Sequence, residues 1–141
     1  MMRLARSALT GIALCGLVAG GFATSASARA GAYLLDLIKT EPYRGAWTRM
    51  LAKEHDVPSW IKDFVVTGDG VNTPAHMVPV GVKAYTLATL CKAHDCADNM
   101  LYVIFAPDGS QAYARLVQAG KAPRLFGKPD VQVQSALSGA Q

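Results

Sequence analysis

The sequence predicts an α+β domain: an antiparallel sheet of about five strands packed by helices on at least one face, with one cysteine-bracketed loop between two strands. Three observations lead there. Helical apolar spacing dominates the chain up to residue 64, strand-like runs joined by turn signals fill residues 77–117, and a final amphipathic segment follows Asp130. At 141 residues the chain accommodates one domain with a modest core.

The first residues read as a secretory signal. Met1, Met2, Arg3, Leu4, Ala5 and Arg6 form a short basic stretch, followed by an apolar run through Leu9, Ile12, Leu14, Leu17 and Val18. Ala26-Ser27-Ala28 offers the small-x-small pattern cut by a signal peptidase, with Ala28-Arg29-Ala30 as a second choice. The apolar run is too short and too interrupted by glycine to span a bilayer comfortably. Residues 1–28 are therefore expected to be cleaved, leaving a single domain over 29–141. Cys15 lies inside this segment after Leu14, where a lipoprotein signal would want a small residue. Cleavage leaves two cysteines, Cys91 and Cys96, and an even count in an exported chain argues for a disulfide. It also lowers the 14 Lys and Arg to 12 against 10 Asp and Glu, about +2. The basic residues are scattered, without a dense face or interleaved aromatics, which speaks against nucleic-acid binding. No later stretch is long and apolar enough for a membrane span, so the mature protein is expected to be soluble.

The elements follow in order. Residues 33–39 place Leu34, Leu37 and Ile38 on one helical face. Thr40 is an N-cap candidate for the next helix, with Pro42 in its first turn. Tyr43, Ala46, Trp47, Met50 and Leu51 recur at i, i+3, i+4, i+7 and i+8, leaving Arg44, Arg49 and Lys53 outward. His55 falls at the expected end of this helix, where a cationic ring suits the dipole. Residues 57–64 suggest one further short helix with Trp60, Ile61 and Phe64 apolar. Trp47 and Trp60 read as core anchors. Gly68-Asp69-Gly70 lacks the other oxygen ligands of a calcium loop and reads as a turn.

Strand composition begins near Met77, after His76. Residues 77–80 and 82–90 flank Gly81 as a hairpin or bulge, and Pro79 implies an edge position. Residues 100–106 are apolar almost throughout, as in a central strand covered on both faces. Pro107-Asp108-Gly109-Ser110 is a turn signal, residues 111–117 resume a strand, and Arg124-Leu125-Phe126 adds a short one. Asp130 is an N-cap candidate for a helix with Val133, Ala136 and Leu137 on one face, although Val131-Gln132-Val133-Gln134 would equally suit a strand.

The chemistry concentrates in Cys91-Lys92-Ala93-His94-Asp95-Cys96, which connects two strands. A disulfide across so few residues gives only about 2 kcal/mol of chain-entropy stabilisation. Its better use is local, since a loop ordered in advance spares a partner the ordering entropy. Four readings stand side by side. They are an ordinary surface disulfide, a redox pair, a metal site using Cys91, His94 and Cys96, and a recognition loop with His94 at its tip. The redox reading lacks the Cys-x-x-Cys spacing, and the metal reading lacks a fourth ligand. Catalysis has no support: Ser59, Ser110, Ser135 and Ser138 sit in no nucleophile motif, and no phosphate loop or paired-carboxylate pattern appears. No cofactor is implied.

The segment resembles the Cys-Lys-Pro-His-Asp-Cys signature of the Ivy family, inhibitors of vertebrate (c-type) lysozyme. The likeness extends upstream through Val57-Pro58-Ser59-Trp60 and Thr73-Pro74 and covers most of residues 40–106. It implies a periplasmic, non-enzymatic protein with an antiparallel five-strand sheet sandwiched by helices, whose protruding loop enters the lysozyme cleft. Carried over by position, His94 would engage the catalytic carboxylates, Lys92 and Asp95 would flank it, and Cys91–Cys96 would clamp the loop. Ala93 stands where the family has proline, so φ there is not locked. The partner implied is a c-type lysozyme, and the family allows a homodimer. A reading of another class is a periplasmic binding or regulatory module for peptidoglycan or endogenous lytic transglycosylases.

Overall fold

The computed structural model describes residues 31–140; the expected signal segment, its cleavage sites and Cys15 lie outside the described residues. Within them, α1 (Leu34–Ile38), α2 (Tyr43–Ala52), α3 (Ser59–Lys62) and α4 (Phe64–Thr67) precede the sheet, and α5 (Val131–Ser138) follows it. The sheet is β1 (His76–Val80), β2 (Lys83–Cys91), β3 (Asn99–Phe105), β4 (Ala112–Gln118) and β5 (Arg124–Phe126). Its spatial order is β1-β2-β3-β4-β5 with every neighbour antiparallel. Each strand therefore pairs with the next in sequence, which keeps every connection short.

Alternation along the strands divides the interior into two cores. Ala88 and Leu90 of β2, Leu101, Val103 and Phe105 of β3, and Ala114 and Leu116 of β4 face one side. There they pack with Leu34, Ile38, Trp47, Ile61 and Phe64 from the first four helices. Leu87 and Ile104 face the other side and meet Val133 and Leu137 of α5. The strand β3 is thus covered on both faces, which is why its sequence is an apolar run rather than an alternation. Pro79 sits in β1 at the sheet edge, where a missing N–H costs no internal ladder bond. The Asp130 side chain accepts from the Val133 amide at 2.9 Å, so the 131–134 stretch starts a helix and not a strand.

Three local expectations are corrected. Thr40 does not cap α2. Its hydroxyl donates back to the Leu37 carbonyl at the end of α1, and Pro42 takes the position before α2. The segment 57–64 is not one helix. The chain breaks at Asp63, which ends α3 and precedes α4, and Gly68 at φ 70 closes α4 in the left-handed conformation. Finally, α2 ends at Ala52, so His55 is exposed beyond it, and the His55 and Asp56 carbonyls both accept from Arg124. Among the described residues no helix is long and apolar enough to cross a membrane.

Candidate functional site

The connection from β2 to β3 leaves the sheet at Cys91 and returns at Asn99. Cys91 is buried beneath the sheet end, and its backbone makes a two-way bridge to Val71, so the loop starts from a fixed base. The Cys91–Cys96 disulfide closes the loop, with Cα atoms 4.8 Å apart. The two sulfurs are joined to each other, and among the described residues no group of His, Cys, Asp or Glu is placed to hold a metal ion.

Inside the ring the chain makes one tight turn. The Asp95 amide donates to the Lys92 carbonyl at 3.0 Å, making residues 92–95 a β-turn. His94 occupies its third position with φ 62, where a type II turn requires a positive value. Histidine is one of the few non-glycine residues enriched in that region. Ala93 is at the second position, the one proline favours in such turns, and its amide takes part in none of the loop's hydrogen bonds. His94 is the exposed member of the turn; Lys92, Ala93 and Asp95 are half-buried around it.

The flanks are tied by side chains. Lys92 Nζ donates to Asp95 Oδ2 at 2.8 Å, and Asn99 Nδ2 donates to the same oxygen at 2.8 Å. The hydrogen bond from Lys92 holds the Asp95 carboxyl below its ordinary range against the opposing effect of desolvation, and the Lys92 charge and the Asn99 amide add to the lowering. The Asn99 Oδ1 in turn accepts from Gln118 Nε2 at 2.8 Å. Backbone bonds reinforce this: the Lys92 amide donates to the Asn99 carbonyl at 3.2 Å, and the Asn99 amide to the Asp95 carbonyl at 3.1 Å. The structure therefore brings together every residue that the sequence singled out, Cys91 to Cys96, and adds Asn99 and Gln118. Those two are nineteen residues apart and meet through the β3–β4 register, which no local pattern announces. His76 begins β1, exposed, on the strand that β2 separates from β3.

The arrangement can present one imidazole on a turn whose shape is set before contact. An imidazole has two ring nitrogens and can donate, accept or carry charge.

Comparisons with known proteins bear on this geometry. A family profile described as "Inhibitor of vertebrate lysozyme (Ivy)" matches residues 42–137. A Pseudomonas aeruginosa protein named inhibitor of vertebrate lysozyme is 32% identical over 117 residues, covering 74% of each chain. A second, uncharacterized P. aeruginosa protein is 32% identical across 96% of this chain and 93% of its own. The inhibitor of vertebrate lysozyme from Escherichia coli K12 is 30% identical over 89 residues, which is 63% of this chain and about half, 53%, of that protein.

Proposed function

The chain belongs to the Ivy family, and from that premise we propose that it is a periplasmic, non-enzymatic inhibitor of c-type lysozyme that inserts the Cys91–Cys96 loop into the active-site cleft. The observation that carries the reading is His94, exposed at positive φ on a turn locked by a disulfide and an ion pair. A c-type lysozyme works with one protonated carboxylic acid and one ionised carboxylate flanking the scissile bond. An imidazole between them can donate to the carboxylate while meeting the acid with its other nitrogen or as a cation. Desolvated in a cleft, that contact has the character of a central hot spot. The loop is not cut, because it contains no glycosidic bond.

The near-neutral balance of charge in 29–141 gives no long-range attraction to a basic lysozyme. Asp95 and Asp98, on and beside the loop, supply what local attraction there is.

The test is lysis of peptidoglycan by a c-type lysozyme in the presence of the protein 29–141. Wild type is expected to inhibit, and His94→Ala to inhibit roughly 30-fold less well, the equivalent of about 2 kcal/mol. Equal inhibition by the two removes His94 from the mechanism. Binding to glycan fragments with no effect on lysozyme favours a peptidoglycan-binding module instead.

A further inference from the structure

We infer that Asn99 and Gln118 are positioning residues that aim the Cys91–Cys96 loop, through a directed chain of hydrogen bonds from β4 across β3 to Asp95. The inference rests on the loop being the inhibitory element, and it concerns what orients that loop.

The disulfide ties Cys96 to Cys91, which the Val71 bridge anchors, and the Ala119 amide holds the Asp98 carbonyl at 2.9 Å, so both ends of the connection are fixed to the sheet. The tilt of the turn between them needs a contact of its own. Asn99 supplies it: it is the first residue of β3, paired in register with Gln118 of β4. Its backbone donates to the Asp95 carbonyl and accepts from the Lys92 amide, while its side-chain amide donates to Asp95 Oδ2 at 2.8 Å. That leaves the Asn99 orientation to be decided, since an amide can be turned end for end at little steric cost. Gln118 decides it. By donating to Asn99 Oδ1 at 2.8 Å it holds the oxygen toward β4 and the NH2 toward the carboxylate, which can only accept. Turned the other way, Asn99 would set an oxygen against the Asp95 carboxylate, with repulsion in place of a charge-assisted bond. Gln118 therefore acts on the loop without bonding to any residue of it.

Two near-isosteric substitutions read the direction of this chain. Gln118→Glu can only accept, so it turns the Asn99 amide round and drives the Asn99 oxygen at Asp95. Adding Asp95→Asn gives the reversed chain a donor again, running from residue 95 through Asn99 to residue 118, with the half-exposed Lys92 ammonium, which shares that oxygen in the native loop, released to solvent. Asp95→Asn alone keeps the original direction, because the new amide can accept from Asn99. Amide hydrogen exchange in the loop is the primary readout, on protein whose core amides show that the fold is intact. The expected result is about tenfold faster exchange of the residue 95 and Asn99 amides in Gln118→Glu, with protection in the double variant recovered to that of Asp95→Asn alone, which lacks the Lys92 ion pair. Lysozyme inhibition by Gln118→Glu is expected to fall by a similar factor. Wild-type loop exchange in Gln118→Glu overturns the inference, and so does a double variant that exchanges as fast as Gln118→Glu alone. Should wild type fail to inhibit lysozyme at all, the functional reading falls and the exchange data still decide whether Asn99 and Gln118 aim the loop.

Discussion

The strand β2 ends in two contrasting connections. Before it, Gly81 and Val82 turn the chain from β1; after it, the 92–98 segment carries the chain to β3. Both use a positive φ, 59 at Gly81 and 62 at His94. The first gives that conformation to a glycine, which bears no Cβ penalty, and leaves Val82 fully exposed. The second gives it to a histidine, at a backbone cost of order 1 kcal/mol. It surrounds that histidine with a disulfide, an ion pair and a side-chain amide. A connection that only reverses the chain needs a permissive residue. One that presents a side chain needs neighbours that hold an unfavourable residue in place, and strain of this kind concentrates at functional positions.

The sharpest way to break the comparison is to exchange the residue types at the two turns. His94→Gly removes the imidazole while suiting the local backbone. Binding to lysozyme is expected to fall at least 30-fold, about 2 kcal/mol, by calorimetry, with stability changed by less than about 1 kcal/mol. Removing the clamp with Cys91→Ala and Cys96→Ala together should lower unfolding free energy in denaturant titration by about 2 kcal/mol, and inhibition should weaken with it. Gly81→Ala is the mirror image of His94→Gly. It puts a Cβ at φ 59 within 2.9 Å of Gln132 Oε1 and should cost about 1 kcal/mol of stability while leaving inhibition unchanged. If Gly81→Ala impaired inhibition as much as His94→Gly, the two turns would not be functionally distinct.

How much of this was open to sequence reading differs by element in a physically sensible way. The helix α2 and the strand β3 were legible because burial imposes a period along a single segment. Asp130 was legible because a cap is a local bond, made three residues away. Thr40 was misread because a hydroxyl between two helices can bond either one, and here it closes α1. The break at Asp63 was invisible in a stretch whose apolar residues satisfy one helix or two. In the site, the cysteine-bracketed turn could be singled out from its composition. Asn99 and Gln118 could not, since they become neighbours only through strand register. The positive φ of His94 was equally hidden, because histidine does not announce it as glycine does.

Smaller effects sharpen the picture of the turn. Ala93 lies where a proline would fit a type II turn and loses no hydrogen bond by substitution. Ala93→Pro should raise stability or affinity by about 0.4–1 kcal/mol through a less mobile unbound loop, seen as a few-fold lower dissociation constant. The smallest effect is that of pH on Asp95. Its folded pKa is depressed below 3.8, so its contribution is fully present above that value and lost as pH falls through the lower, folded one. The Asp95 and Asn99 amide shifts should carry a movement on acidification below the ordinary carboxylate range. Asp95→Asn should abolish the movement.

The most direct test of the account is the structure of the protein bound to a c-type lysozyme. It should show the Cys91–Cys96 loop inside the cleft, with an imidazole nitrogen of His94 within about 3 Å of a catalytic carboxyl oxygen. A complex in which the loop lies outside the cleft, or His94 faces solvent, would contradict it.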